Sequence, residues 1–199
     1  MLRLPHLTLR RTTAAIAMTG AAVLIPAIAL ASPGRPAAAD GRAAAAHGRI
    51  AAARCHTGTV TDWIGLPGDR TAGSTYYMLE ISNTSRTTCS LFGFPGVSAV
   101  NAGGHQVGST AGRASYLTER PLTLPPEATV HAVLQITDVS NFTAAACHPA
   151  NAGGLRVFAP GAFSSRVIPF SFRGCAKRGP VYLHITTTVA GTGIPGQGN

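Results

Sequence analysis

Acidic residues are scarce: 7 in 199, against 16 lysines and arginines. They are Asp40, Asp62, Asp69, Glu80, Glu119, Glu127 and Asp138, and Glu119 and Glu127 are the pair we weigh as a glycosidase's two carboxyls. Two solvated loop acids are the ordinary reading of that pair. Several reactive signatures are also missing. There is no Gly-x-Ser-x-Gly elbow, no glycine-rich loop ending in Gly-Lys-Ser/Thr, and no His-Glu-x-x-His. Serine-hydrolase, phosphate-loop and zincin chemistries therefore have no motif to stand on. Clustered basic charge is lacking too. From Asp40 onward, 12 basic and 7 acidic residues leave +5, and only Lys177-Arg178 are adjacent. A nucleic-acid surface needs clustered bases with interleaved aromatics, so nucleic acid is not an expected partner. No long run carries helical periodicity.

What is present begins with an export pattern. Met1 to Arg11 is basic, Ala14 to Ala31 is apolar, and Ala29-Leu30-Ala31 and Ala37-Ala38-Ala39 each offer a small-x-small cleavage pattern. This order reads as a signal peptide over 1–39, cleaved after Ala31 or Ala39, with an uncleaved anchor as the alternative. No cysteine ends the apolar run, so a lipid anchor lacks its attachment residue. The Ala, Gly and Arg of 40–53 read as a linker, 54–189 as the domain, and the glycine-rich 190–199 as a disordered tail.

Inside the domain the dominant period is two. Tyr77, Leu79 and Ile81 alternate with Tyr76, Met78 and Glu80, and Val130, Ala132, Leu134 and Ile136 alternate with His131, Val133, Gln135 and Thr137. Further strands are expected at 57–64, 89–92, 97–101, 105–109, 155–158, 167–172 and 181–189. Loops are expected at Gly65–Ser74, Thr110–Pro121 and Asp138–Asn151, the last holding one helical turn. Asn83-Thr84-Ser85 stops a strand through side-chain bonds to its own backbone. Phe94-Pro95-Gly96 suits a type II turn with Gly96 at positive φ. Asn101 to Gly104 suits a hairpin loop, and Asn151-Ala152-Gly153-Gly154 repeats its turn chemistry. Asn83-Thr84-Ser85 and Asn141-Phe142-Thr143 fit the glycosylation acceptor pattern and are read as turns. Seven to nine short strands, with 23 glycines and 14 prolines to turn between them, make an all-β, single antiparallel sandwich.

The four cysteines are Cys55, Cys89, Cys147 and Cys175. Cys55-His56 and Cys147-His148 would suit tetrahedral zinc, but the short Cys-x-x-Cys spacing is missing. An even count in an exported chain points to disulfides. Four cysteines allow three connectivities, and the expectation adopted is sequence-local pairing, Cys55–Cys89 and Cys147–Cys175.

The run Asn83-Thr84-Ser85-x-x-x-Cys89-x-Leu91-x-Gly93-Phe94-Pro95-Gly96-Val97 resembles the signature of a family of small secreted actinobacterial domains of unknown function. The resemblance extends over roughly Cys55 to Val189, through the hairpin glycine Gly104, the strand Ala128 to Thr137 and the last two cysteines. It implies an immunoglobulin-like sandwich and brings no catalytic residues. Pro125-Pro126 departs from the Pro-Gly expected there. Trp63, Phe92 and Tyr116 are the aromatics that could face a ligand, with core packing the plainer role for each. The function expected is a secreted, non-catalytic module binding an unknown envelope or extracellular component, a monomer with no cofactor and no membrane span after cleavage. The alternative is a secreted enzyme or enzyme inhibitor of unrecognised type.

Overall fold

The computed structural model describes residues 52–193, all within the compact unit Gly48–Asn199. The expected signal peptide and nearly all of the linker lie outside the described residues. The described residues hold twelve strands: β1 (Val60–Thr71), β2 (Ser74–Asn83), β3 (Cys89–Leu91), β4 (Gly96–Val100), β5 (Gln106–Val107), β6 (Gly112–Arg113), β7 (Leu122–Leu124), β8 (Thr129–Thr137), β9 (Pro149–Phe158), β10 (Arg166–Cys175), β11 (Leu183–Ile185) and β12 (Val189–Ala190). A 3-10 turn at Val139–Asn141 and one short helix, α1 (Ala144–Cys147), fill the connection where a helical turn was expected.

The strands form a first sheet in the order β1-β2-β8-β11-β6 with β12 also on β8, a second sheet β10-β9-β4-β5, and a ribbon β3-β7. The all-β, two-sheet reading holds. The strand count exceeds seven to nine because several strands are only two or three residues long. The β6–β11 pair is parallel, so the sandwich is not wholly antiparallel.

Period-two alternation decides the core. Leu79, Ala132, Leu134, Leu183 and Ile185 of the first sheet meet Val97, Ala99, Leu155, Val157 and Ile168 of the second. A second cluster lies beside the ribbon, where Val60, Ile81, Leu91, Leu124 and Val130 surround Cys55 and Cys89. The disulfides are Cys55–Cys89 and Cys147–Cys175, one in each cluster. The sulfurs are therefore bonded to each other, and the Cys-His dipeptides hold no zinc thiolates. Tyr182 is fully buried, and its hydroxyl donates to the Val107 carbonyl at 2.9 Å. Burial pushes that phenol up to about 12. A side chain at Gly174 would press into the same ring, so the strand can pass Tyr182 only as glycine.

Four local expectations are corrected. Gly65–Ser74 is not a loop: β1 continues to Thr71, with register shifts on both sides of Pro67, and turns at Ala72-Gly73. Both turn residues have positive φ, the pattern of a type I′ hairpin. Second, Gly96 is the first residue of β4, paired with Phe158; the left-handed glycine of the signature is Gly93 (φ 92). Third, Asn151 to Gly154 lie inside β9, paired to β10, because close neighbours on both sides override their turn chemistry. Fourth, residues 190–193, assigned to the tail, are held down: Gly191 N donates to the Thr129 carbonyl, and Gly193 N to Glu80. By contrast, the Asn101–Gly104 hairpin is found as expected, with Gly104 at φ 77. At the other end of the domain Ser90 N donates to the Ala53 carbonyl, so the fold engages the chain slightly before Arg54.

Candidate functional site

The outer face of the first sheet follows from its registers. Trp63 pairs with Glu80, Glu80 with His131, and His131 with Val189. Cross-strand partners share a face. Since Leu79, Ile81, Val130 and Ala132 point into the core, this row points out. Further along β2, Tyr76 pairs with Gln135, Gln135 with His184, and His184 with Gly112. Met78 and Val133 fill the row between. At the strand rise the two polar rows are about 13 Å apart.

Two of the three aromatics picked out in the sequence belong to this sheet's surroundings: Trp63 lies on the edge strand β1, and Tyr116 follows β6 at the other edge, with the Tyr76 phenol nearby. Trp63 is 37% exposed and Tyr116 is 67% exposed. Tyr116 comes from the β6–β7 connection, and its phenol is pushed up by burial and by the nearby Tyr76 phenol. Phe92 is exposed elsewhere, at the end of the ribbon, in a groove of about 240 Å³ with Arg54, Pro121 and Pro160.

The chain crosses this face after Ala190. His131 Nδ1 lies 2.8 Å from the Gly191 carbonyl. A carbonyl can only accept, so Nδ1 carries the proton. Gly193 N donates to Glu80 Oε1 at 2.9 Å. Glu80 is 1% exposed, and its Oε2 has no hydrogen-bond partner. Burial pushes the Glu80 carboxyl up, while the Gly193 N–H and the neighbouring His131 pull it down. Alternation alone marks Glu80 as an outward residue of β2. Its burial comes from a strap about 110 residues later, and the only sequence signal is the run of glycines that lets the strap turn.

A second buried acid sits on the inner side at the edge of β1. Asp62 is 8% exposed, its Oδ1 is unpartnered, and desolvation raises its pKa to about 6 despite the nearby Arg166 guanidinium. Arg166 itself donates to the Thr57 carbonyl at 2.9 Å.

The turn residues of the signature are structural. Asn83 is 1% exposed and uses its whole amide. Nδ2 donates to the Thr87 and Leu124 carbonyls at 2.8 and 2.9 Å, and Oδ1 accepts from Ser85 N and Ser85 Oγ. Phe94 lies under the Arg113 guanidinium, 5.2 Å from its ring centre. Among the described residues, no three His, Cys, Asp or Glu gather into a metal-binding group, and no helix is long and apolar enough to cross a membrane.

These features define a disulfide-clamped β-domain with an aromatic outer face and two buried carboxyls. The chain belongs to a family described as a domain of unknown function (DUF4232), whose model matches residues 55–190. Comparisons with curated proteins and with solved structures give no match. The two disulfides point to an oxidising, non-cytoplasmic location.

Proposed function

We propose that this protein is a secreted, non-catalytic recognition module that binds an envelope or extracellular component on the outer face of its first sheet. The observation that carries this reading is that Trp63 and Tyr76 stand on one face of a hydrogen-bonded sheet, with exposed Tyr116 near the Tyr76 phenol. Tyrosine and tryptophan offer large contact areas with few rotatable bonds. Held on paired strands, Trp63 and Tyr76 lose little further freedom when a ligand arrives. The basic-apolar-small order of 1–39 supports export, and the +5 balance from Asp40 onward favours anionic polymers of a cell surface.

The test uses purified protein with both disulfides formed, applied to an envelope fraction with retention measured. The Trp63→Ala/Tyr116→Ala double variant should lose retention by about tenfold or more, the loss of roughly 1.4 kcal/mol, with an unchanged melting temperature. Equal retention of variant and parent would remove the aromatic face from the proposal. Turnover on a hydrolase panel would overturn its non-catalytic part.

A further inference from the structure

Beside the Phe94-Pro95-Gly96 signature the two sheets part. β4 gains its partner β5 only at Ala99 and Val100. β6 closes the first sheet and reaches β4 through the Ala111 N–H, which donates to the Val97 carbonyl at 2.8 Å. Between them opens a cleft of about 300 Å³, walled by Phe94, Pro95, Phe158, Ala111 and Ile185, with Arg113 at its side. The Phe158 wall depends on a glycine: Gly96 pairs with Phe158, and a Cβ there would stand 3.3 Å from the Phe158 Cβ.

Arg113 is aimed at this cleft by its register. It pairs with Ile185, which is buried between the sheets, so the Arg113 side chain leaves β6 toward the seam and away from the outer face. Its guanidinium rests on Phe94. Among the described residues it makes no ion pair and no hydrogen bond. Glu119, on the following loop, lies against Gly93 instead. A guanidinium stacked on an aromatic ring keeps its in-plane N–H donors for a planar, two-oxygen acceptor.

We propose that this cleft binds a small amphipathic carboxylate, whose two oxygens pair with Arg113 and whose hydrocarbon body lies on Phe94 and Phe158. The volume is at the lower end for ligand pockets and suits on the order of ten non-hydrogen atoms. An alcohol of the same chain would keep the apolar contacts and lose the charge. An amine would place a like charge at Arg113. The site is separate from the Trp63–Tyr116 face, so the two readings fail independently.

Octanoate, octanol and octylamine are titrated into the intact, oxidised protein by calorimetry, with amide chemical shifts followed in parallel. Octanoate should saturate and move the amides of Gly96, Ala111 and Phe158. Octanol should bind about tenfold more weakly, the low end for a hydrogen bond to a charged group, and octylamine more weakly still. Arg113→Gln should bring octanoate down to the level of octanol. Ala111→Leu, which fills the cleft and leaves the cation in place, should weaken octanoate and octanol alike. The proposal is overturned if octanoate does not saturate, if octylamine matches it, if Arg113→Gln changes nothing, or if the shifts map to Trp63 and Tyr116.

Discussion

Asn83 Nδ2 donates to the Leu124 carbonyl at 2.9 Å, across 41 residues of chain. The same nitrogen donates to Thr87, while Glu127 N donates to the Asn83 carbonyl. One buried amide thus ties the end of β2 to the following loop and to the turn that launches β8. Asn83→Asp would replace the nitrogen that makes both donations with an oxygen facing two carbonyls. Leaving buried polar groups unpaired costs roughly 1–3 kcal/mol each, more with charge. We expect a loss of about 3 kcal/mol or more in urea unfolding, and Asn83→Ala to lose nearly as much. A loss below about 1 kcal/mol would show that water replaces the amide and that the tie is dispensable.

Among the described residues three non-glycine residues occupy left-handed backbone, His148 at the end of α1 and two in turns between strands. Ala72 (φ 47) begins the β1–β2 hairpin turn, and Glu127 (φ 64) holds the third place of the Pro125–Ala128 turn. The glycine expected after Pro125 is thus needed one residue later. Ala72→Gly and Glu127→Gly should each stabilise the protein by roughly 0.5–1 kcal/mol, strain relief outweighing the added freedom of the unfolded chain. Gly73→Ala should do the opposite, since its Cβ would collide with the Asn141 amide. Thermal melts of the three variants check the signs, and a destabilising Glu127→Gly would mean that its side chain has a role the hydrogen bonds do not show.

Much of this fold is legible in the sequence because strand alternation is local. β2 and β8 are plain from Tyr76 to Ile81 and from Val130 to Thr137, and they pair in register at the centre of the first sheet. What escaped depends on partners distant in sequence. β1 runs through Pro67-Gly68 because β2 pairs with it on both sides of the register shifts. Asn151 to Gly154 have turn chemistry yet form a strand between β4 and β10. The candidate face was half legible. Trp63 and Tyr116 stood out as aromatics, but the outward placing of Trp63 rests on the β1–β2 register and that of Tyr116 on a loop that lies near Tyr76. The burial of Glu80 rests on Gly193, and the cleft on Arg113 sharing a side with Ile185.

The disulfides close separations of 34 and 28 residues. Loop entropy assigns each about 3–4 kcal/mol at 25 °C, acting mainly on the unfolded chain. Replacing Cys147 and Cys175 by alanine should lower stability by about that amount and also leave a space in the core between the sheets. Replacing Cys55 and Cys89 should loosen the ribbon cluster, where the N-terminal entry is held by Ser90. Hydrogen exchange checks the difference: the first pair should raise exchange in β9 and β10, and the second in β3 and β7. A uniform rise in both variants would show that the two clusters unfold as one unit.

The buried carboxyls set the pH dependence. Asp62 has a folded pKa of about 6 against an ordinary 3.8, because desolvation outweighs the attraction of Arg166. The folded state therefore holds its proton more tightly than the unfolded state between pH 4 and pH 6. Stability is greatest below that window and falls as pH rises through it. A shift of about two pKa units corresponds to roughly 3 kcal/mol above pH 7. Glu80 is shifted in the same direction by its burial under the strap. Asp138 is shifted the opposite way by its bonds from Ser140, so its contribution is lost only as pH falls below the ordinary carboxyl range. We expect the denaturant midpoint to be higher at pH 5 than at pH 7.5, the reverse of ordinary acid unfolding. Asp62→Asn should flatten most of that slope and stabilise the protein at pH 7.5. Glu80→Gln should flatten the remainder, since its amide keeps an oxygen for Gly193 N. If the midpoint rises from pH 5 to pH 7.5, or if Asp62→Asn leaves the slope unchanged, Asp62 is solvated in the folded protein and its burial carries no energetic weight.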